Sequence, residues 1–155
     1  MKGDKKVIET LNSLLGRELT VVSQYMVHAE MCDNWGYTKL HDAIQKRAKV
    51  EMKHAEMLIG RIIFLEGIPN VSELEKMHIG GDIPKIFNSD HEAEIDASNR
   101  YNAGILVCGD AKDFATREML EHILGEENDH IVSIEEVQDQ IGQLGIQLFL
   151  SAQTS

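Results

Sequence analysis

Proline is scarce in this sequence, and its scarcity is the strongest constraint on the fold. Globular proteins contain about 5% proline, whereas these 155 residues contain only Pro69 and Pro84. Both lie in or directly after residues 66–82, EGIPNVSELEKMHIGGD, the only extended stretch with the residues typical of a connection. Because proline breaks helices, we expect the rest of the chain to form long uninterrupted helices.

Apolar residues recur at steps of three and four through four segments, which is the helical period. The positions are Ile8, Leu11, Leu15, Val22, Tyr25, Ala29 and Cys32; Ile44, Ala48, Ala55, Leu58, Ile62 and Leu65; Phe87, Ala97, Tyr101 and Cys108; and Leu120, Ile123, Ile134, Val137 and Ile141. They predict helices over about 4–34, 38–65, 83–109 and 113–142, each roughly 40 Å long. A short fifth helix is expected near 145–151. We therefore predict one all-α domain, residues 1–155, built as a four-helix bundle with a long crossover.

Composition excludes several classes of function. The chain has 26 acidic and 15 basic residues, a net charge of −11 that repels phosphate backbones, so nucleic acid is not expected as a partner. Cys32 and Cys108 form no Cys-x-x-Cys pair, which argues against a disulfide scaffold and a rubredoxin-type iron site. No apolar run approaches the roughly 18 residues that cross a bilayer. We expect a cytoplasmic protein without a membrane partner.

One glutamate interrupts the apolar face of each predicted helix. Continuing the stripes leads to Glu18, Glu51, Glu94 and Glu127. The first two are 33 residues apart, as are the last two, and each pair is centred on a predicted turn, so antiparallel hairpins bring the members of each pair level. The alternative is that these side chains rotate to solvent, as single acidic residues often do. Four together favour a buried carboxylate cluster.

Two histidines extend this cluster. His54 follows Glu51 by three residues, and His130 follows Glu127 by three, a spacing that places both side chains on one helix face. Two Glu-x-x-His motifs, each paired with a glutamate from another helix, are the pattern of di-iron and di-manganese carboxylate bundles. Four buried carboxylates carry a charge of −4 that two divalent cations would neutralise. Oxygen and imidazole ligands suit iron or manganese, and zinc could also bind.

The whole chain resembles the bacterioferritins. The resemblance rests on the opening MKGDKKVI, the NWG turn, EMKHAE, RIIFLEGIPN and EENDHI. It implies a ferritin-like bundle that assembles into a shell of 24 subunits, made of dimers, for iron storage and detoxification. Each subunit would be a ferroxidase that oxidises Fe²⁺ with O₂ or H₂O₂, and ferric mineral would fill the shell. By the same resemblance the iron ligands are Glu18, Glu51, His54, Glu94, Glu127 and His130, with Glu51 and Glu127 bridging, and a bacterioferritin-associated ferredoxin is a possible partner.

The resemblance also predicts haem at Met52. On a helical wheel Met52 points about 130° away from the Glu51–His54 face, hence outward, where it could equally contact a partner helix or be exposed. In bacterioferritins the matching Met and its two-fold mate are the axial ligands of one haem b or related iron porphyrin. The residues that would line this pocket are Leu19, Val22, Ser23 and Met26.

Three further expectations concern residues around the centre. Tyr25, seven residues after Glu18, is either core filler or, by resemblance, a one-electron donor or hydrogen-bond partner near the metals. Some bacterioferritins carry His and Asp where this chain has Lys46 and Val50, so an inner-surface iron site is not expected here. Glu66 and Asp139 are candidates, by resemblance alone, for guiding Fe²⁺ through openings of the shell.

Two other functions remain open from the sequence. A rubrerythrin-like di-iron peroxidase would use the same ligands, but it usually has an attached rubredoxin domain, and this sequence has no Cys-x-x-Cys pair. A haem-carrying electron-transfer shell would keep its bundle metals for structure. The remaining histidines have no comparable spacing and are expected to be ordinary surface or core residues: His28, His41, His78, His91 and His122.

Overall fold

The computed structural model describes residues 1–154, and in that range all regular structure is helical. The helices are α1 (Lys5–Asn34), α2 (Thr38–Phe64), α3 (Ile83–Asp110), α4 (Phe114–Leu144) and α5 (Ile146–Ser151). The predicted four-helix bundle with a long crossover and a short fifth helix is confirmed. Its helix ends differ from the predicted ones by at most two residues.

The largest of these differences is at the end of α4. The sequence suggested a stop at Gly142, but the helix continues to Leu144. The backbone turns out of the helix at Gly145, whose φ of +79° is easily reached only by a residue without a side chain. Gly142 has ordinary helical geometry, so glycine alone did not mark the end.

Three aspartates fix where long helices begin. Asp4 accepts hydrogen bonds from the backbone N–H groups of Lys6 and Val7. Asp82 accepts one from the first turn of α3, and Asp113 does the same for α4. Each carboxylate satisfies a backbone donor that has no partner within the helix, so these residues are N-caps.

Helices α1 and α2 form one hairpin and α3 and α4 form the other, with α1 also packed against α3. The predicted stripes form the core: all their residues are buried except the half-buried Ile8, Val137 and Ile141. The core consists of two apolar clusters. The first contains Leu11, Leu58, Tyr101 and Leu120, and the second contains Tyr25, Ile44, Phe87, Ile134 and Phe149. In every long helix the boundary between the clusters falls at the stripe glutamate, so a polar layer crosses the middle of the bundle.

The crossover, residues 65–82, is held along α1 by side chains spaced in multiples of four. Asn12, Thr20, Gln24 and His28 accept hydrogen bonds, at 2.8 to 3.0 Å, from the backbone N–H groups of Asn70, Glu75, His78 and Gly80. His28 also lies 2.8 Å from Asp90 through Nδ1. It is therefore a buried structural residue that ties α1 to both the crossover and α3.

No helix within residues 1–154 combines the length and the apolar character that a membrane crossing requires. Cys32 and Cys108 are both buried free thiols.

Candidate metal centre

The six residues singled out by their spacing meet in the polar layer. Their ligand atoms form two groups, each with all atoms within 4.8 Å of one another. One group is Glu18, Glu51, His54 and Glu127, and the other is Glu51, Glu94, Glu127 and His130. The glutamates and His54 are buried, and His130 keeps 13% of its side chain exposed. Glu51 and Glu127 belong to both groups, which is the placement that bridging ligands require.

Both histidines face the carboxylates through Nδ1. His54 Nδ1 lies 3.0 Å from Glu127 Oε1 and 3.2 Å from Glu51 Oε2. His130 Nδ1 lies 2.9 Å from Glu51 Oε1 and 3.5 Å from Glu94 Oε1. Each Glu-x-x-His motif thus points its imidazole across the bundle as well as along its own helix.

Two oxygen atoms of this cluster are buried without a hydrogen-bond donor. Glu18 Oε2 and Glu94 Oε2 have no such partner within residues 1–154. A buried carboxylate oxygen without a donor is costly, and a hard cation satisfies it directly. The donor set of four carboxylates and two imidazoles therefore fits two divalent iron or manganese ions.

Arg17 is the member of the site that the sequence analysis missed. Its guanidinium Nη1 lies 2.9 Å from Glu127 Oε2, 3.2 Å from Glu18 Oε1 and 3.5 Å from Glu51 Oε2. Its side chain is only 3% exposed. A signal was present: Arg17 lies three residues after Leu14 and four before Val21, both buried, so it continues an apolar stripe.

Two tyrosines hydrogen-bond the glutamates that belong to only one group. The Tyr25 hydroxyl donates to Glu94 Oε1, and the Tyr101 hydroxyl donates to Glu18 Oε1 at 2.6 Å. Of the two interpretations of Tyr25, the structure places it as a hydrogen-bond partner within the core. Tyr101 was predicted only as an apolar stripe residue, because spacing along one helix does not show what its hydroxyl meets.

Burial and charge perturb the titration of this cluster. Burial, with repulsion from neighbouring glutamates, raises the pKa of Glu51 and of Glu127. Burial would also raise the pKa of Glu94, but the hydrogen bond from His130 and the charge of Arg17 lower it well below its usual range. Burial opposes the charge on Arg17, but the surrounding glutamates outweigh it and raise its pKa. The guanidinium therefore stays charged, and the pKa values of the carboxylates shift in different directions.

Comparison with known proteins agrees with this geometry. A family model of the ferritin-like domain matches residues 8–144. The bacterioferritin of Streptomyces coelicolor is 39% identical over 97% of this chain and 90% of its own length. The bacterioferritin of Mycobacterium tuberculosis strain H37Rv is 37% identical over 96% of this chain and 94% of its own. The chain belongs to the bacterioferritin family. A further bacterioferritin, from Brucella melitensis, is 35% identical over 94% of this chain and 90% of its own length.

The residues that a bacterioferritin would use for haem lie on the α1–α2 hairpin. Met52 is 47% exposed and Met26 is 56% exposed. Leu19 and Ser23 are half-buried, and Val22 is almost entirely buried. Leu19 directly follows Glu18 and Met52 directly follows Glu51, so both lie next to the polar layer of the bundle.

Lys46 and Val50, where the sequence analysis expects no inner-surface iron site, lie near His130. The exposed Lys46 and the half-buried Val50 line a cavity of about 490 Å³ between α2 and α4, together with Asp129 and His130. Neither side chain offers a metal-binding oxygen or imidazole. The proposed entry residues Glu66 and Asp139 are both exposed.

Proposed function

We propose that this protein stores iron and is a ferroxidase. The observation that carries the proposal is the pair of overlapping four-residue groups, in which the buried oxygens Glu18 Oε2 and Glu94 Oε2 lack donors within residues 1–154. Membership of the bacterioferritin family supports it. Two Fe²⁺ ions held together supply two electrons, the number that converts O₂ and two protons to H₂O₂, or H₂O₂ and two protons to two water molecules. The Fe³⁺ product would then enter a mineral inside a shell of 24 subunits.

The residues of the cluster would have different roles in binding and oxidising iron. Glu51 and Glu127, common to both groups, would hold the two substrate ions at a short separation. Glu18 with His54, and Glu94 with His130, would complete one position each. Tyr101 and Tyr25 fix the orientation of Glu18 and Glu94 by hydrogen bonds. The apolar clusters on both sides keep bulk water out, which strengthens the hold of carboxylates on cations.

Haem is the resident cofactor of the proposal. Its electron-transfer chemistry would link the outside of the shell to the stored iron. Met52 would bind the haem iron through its thioether, and its side chain is accessible to a ligand because the residue is 47% exposed. The other residues of the pocket would be Leu19, Val22, Ser23 and Met26.

The remaining parts of the proposal concern assembly and supply. The exposed apolar residues of the α1–α2 hairpin would pair two subunits into the dimers of the shell. Glu66 and Asp139 would attract Fe²⁺ to openings in a shell whose subunits each carry −11. We place this shell in the cytoplasm, with a bacterioferritin-associated ferredoxin as its electron donor. Lys46 and Val50 would leave the inner surface without a relay for iron.

An anaerobic Fe²⁺ titration followed by exposure to O₂ tests the ferroxidase. We expect rapid oxidation of the first two Fe²⁺ per subunit in the wild type. In Glu94→Gln and His130→Ala the initial rate should fall at least about tenfold, because each loses a ligand of one position. Glu118→Gln, which neutralises an exposed glutamate of α4, is the matched control. Wild-type rates in both ligand variants would refute the assignment.

The same titration separates the alternatives. Rapid reduction of H₂O₂ without mineral growth would favour the rubrerythrin-like peroxidase. Bound metal that neither O₂ nor H₂O₂ oxidises would favour a shell with structural bundle metals.

A further inference from the structure

The guanidinium of Arg17 lies among the carboxylate oxygens of the first group. Its Nη1 is within 3.5 Å of one oxygen each from Glu18, Glu51 and Glu127. Three of the four residues of that group therefore converge on a single guanidinium nitrogen. Glu94, which belongs only to the second group, is farther away: its Oε2 lies 3.9 Å from Arg17 Nη2.

The charge of Arg17 changes how many metal ions the cluster can neutralise. Four carboxylates and one guanidinium leave a net charge of −3. One divalent ion reduces that to −1, but a second would leave the buried cluster at +1 if the guanidinium stayed. Without the guanidinium, two divalent ions would bring the cluster to zero. A buried uncompensated charge is expensive, so Arg17 opposes the second ion and not the first.

The guanidinium is incompletely satisfied where it lies, and it has space beside it. Its Nε is buried with no hydrogen-bond acceptor in the described part of the chain. Its Nη2 donates to the Ala93 carbonyl oxygen at 2.8 Å, and both residues line a cavity of about 320 Å³ between α1, α3 and the crossover. The charged side chains that also line this cavity are Glu75, Lys76, Glu92, Asp96 and Arg100. Arg100 pairs with Glu75 and Asp96, so Glu92 is the acidic partner that the cavity offers to a guanidinium that leaves the cluster.

We propose that Arg17 is an internal cation that neutralises part of the metal-free centre. To bind, the second divalent ion must displace the guanidinium of Arg17 into this cavity. The two metal positions then fill one after the other, beginning with the Glu51, Glu94, Glu127 and His130 group. The inference rests on the proposed function, since it presumes that the cluster binds metal. Arg17 is a positioning residue in this scheme, because it contacts the ligands and not the reactants.

Mn²⁺ is a suitable probe because isolated and paired Mn²⁺ ions differ in their paramagnetic resonance spectra. The full-length metal-free protein is titrated with Mn²⁺ under argon. With one Mn²⁺ per subunit we expect mainly the spectrum of isolated ions in the wild type, and the spectrum of coupled pairs only as the second equivalent binds. Calorimetry should give a second dissociation constant that is larger than the first by at least about tenfold.

Arg17→Gln removes the charge and keeps a side chain of similar polarity. In this variant the ratio of the second dissociation constant to the first should fall at least about tenfold. The metal-free form of this variant should unfold about 5 °C or more below the wild type, because the buried glutamates lose their cation. Added Mn²⁺ should abolish this difference in unfolding temperature. Arg117→Gln is the control, since Arg117 pairs with Glu121 on the surface of α4 and should leave both measurements unchanged.

The outcomes separate this inference from the proposed function. Coupled pairs from the first addition of Mn²⁺ to the wild type, or equal dissociation constants in wild type and Arg17→Gln, would overturn the role of Arg17 and leave the metal centre standing. Absence of Mn²⁺ binding to the wild type would overturn the metal centre itself, and the inference with it. If Arg17→Gln does not fold, coupled pairs from the first addition of Mn²⁺ to the wild type would still overturn the inference.

Discussion

Two glutamates of one cluster are expected to affect the metal-free protein in opposite directions. Glu127→Gln should stabilise it, whereas Glu94→Gln should destabilise it. Both changes replace a carboxylate by an amide of the same shape, so packing is preserved. The difference arises because burial and repulsion raise the pKa of Glu127, while His130 and Arg17 outweigh burial at Glu94 and lower its pKa.

The geometry sets the size of the effect at Glu127. Its ligand oxygen lies within 4.8 Å of those of Glu18, Glu51 and Glu94, and at an effective dielectric constant of about 20 each repulsion costs about 3 kcal/mol. The attraction to Arg17 at 2.9 Å is worth about 6 kcal/mol on the same scale. Repulsion therefore exceeds the attraction to Arg17 by a few kcal/mol. The hydrogen bond from His54 offsets part of this excess, and partial protonation of the wild type relieves more of it.

We therefore expect Glu127→Gln to raise the free energy of unfolding of the metal-free protein by about 2 kcal/mol. For a chain of this length that corresponds to a Tm about 4–8 °C higher. Glu94→Gln should lower the Tm by a similar amount, because it loses the charge that His130 and Arg17 stabilise. The amide that Glu127→Gln introduces can still accept a hydrogen bond from Arg17, so this contact survives.

The assay is thermal unfolding at pH 7.5 after treatment with a chelator, followed by circular dichroism. Glu118→Gln is again the control, and its exposed position predicts a change within about 0.5 kcal/mol. Added Mn²⁺ should stabilise the wild type more than either cluster variant. Unfolding of Glu127→Gln below the wild type, or a shift of both cluster variants in the same direction, would refute this balance of charges.

Three further predictions follow from the site and its surface. Because folding raises the pKa of Glu51 and Glu127, the folded state binds more protons than the unfolded chain above about pH 4.5. The stability of the metal-free protein should therefore fall as the pH rises from 5 to 8, and a urea midpoint that increases over this range would contradict this prediction. Tyr101→Phe removes the donor to Glu18 and should lower the free energy of unfolding by about 1–2 kcal/mol; an unchanged urea midpoint would show that the hydrogen bond contributes nothing. Met52→Ala should abolish the haem absorption spectrum without changing helical content, and full haem occupancy in this variant would exclude Met52 as a ligand.

The helices could be predicted because their signals are local. Apolar residues at steps of three and four and the absence of proline both act within a few residues along the chain. The end of α4 was placed two residues early because both Gly142 and Gly145 are candidate stops. Only the backbone conformation of Gly145, with φ at +79°, distinguishes them.

The sequence by itself also determined which glutamates and histidines share a face, since that depends on helical period and hairpin symmetry alone. The tertiary structure decided what else enters the polar layer. Arg17 approaches glutamates from all four long helices, and Tyr101 reaches Glu18 from another helix, so neither contact follows from spacing along one segment. Polar partners of this kind depend on how helices rotate and pack against one another. Local periodicity does not specify that rotation closely enough to predict a hydrogen bond.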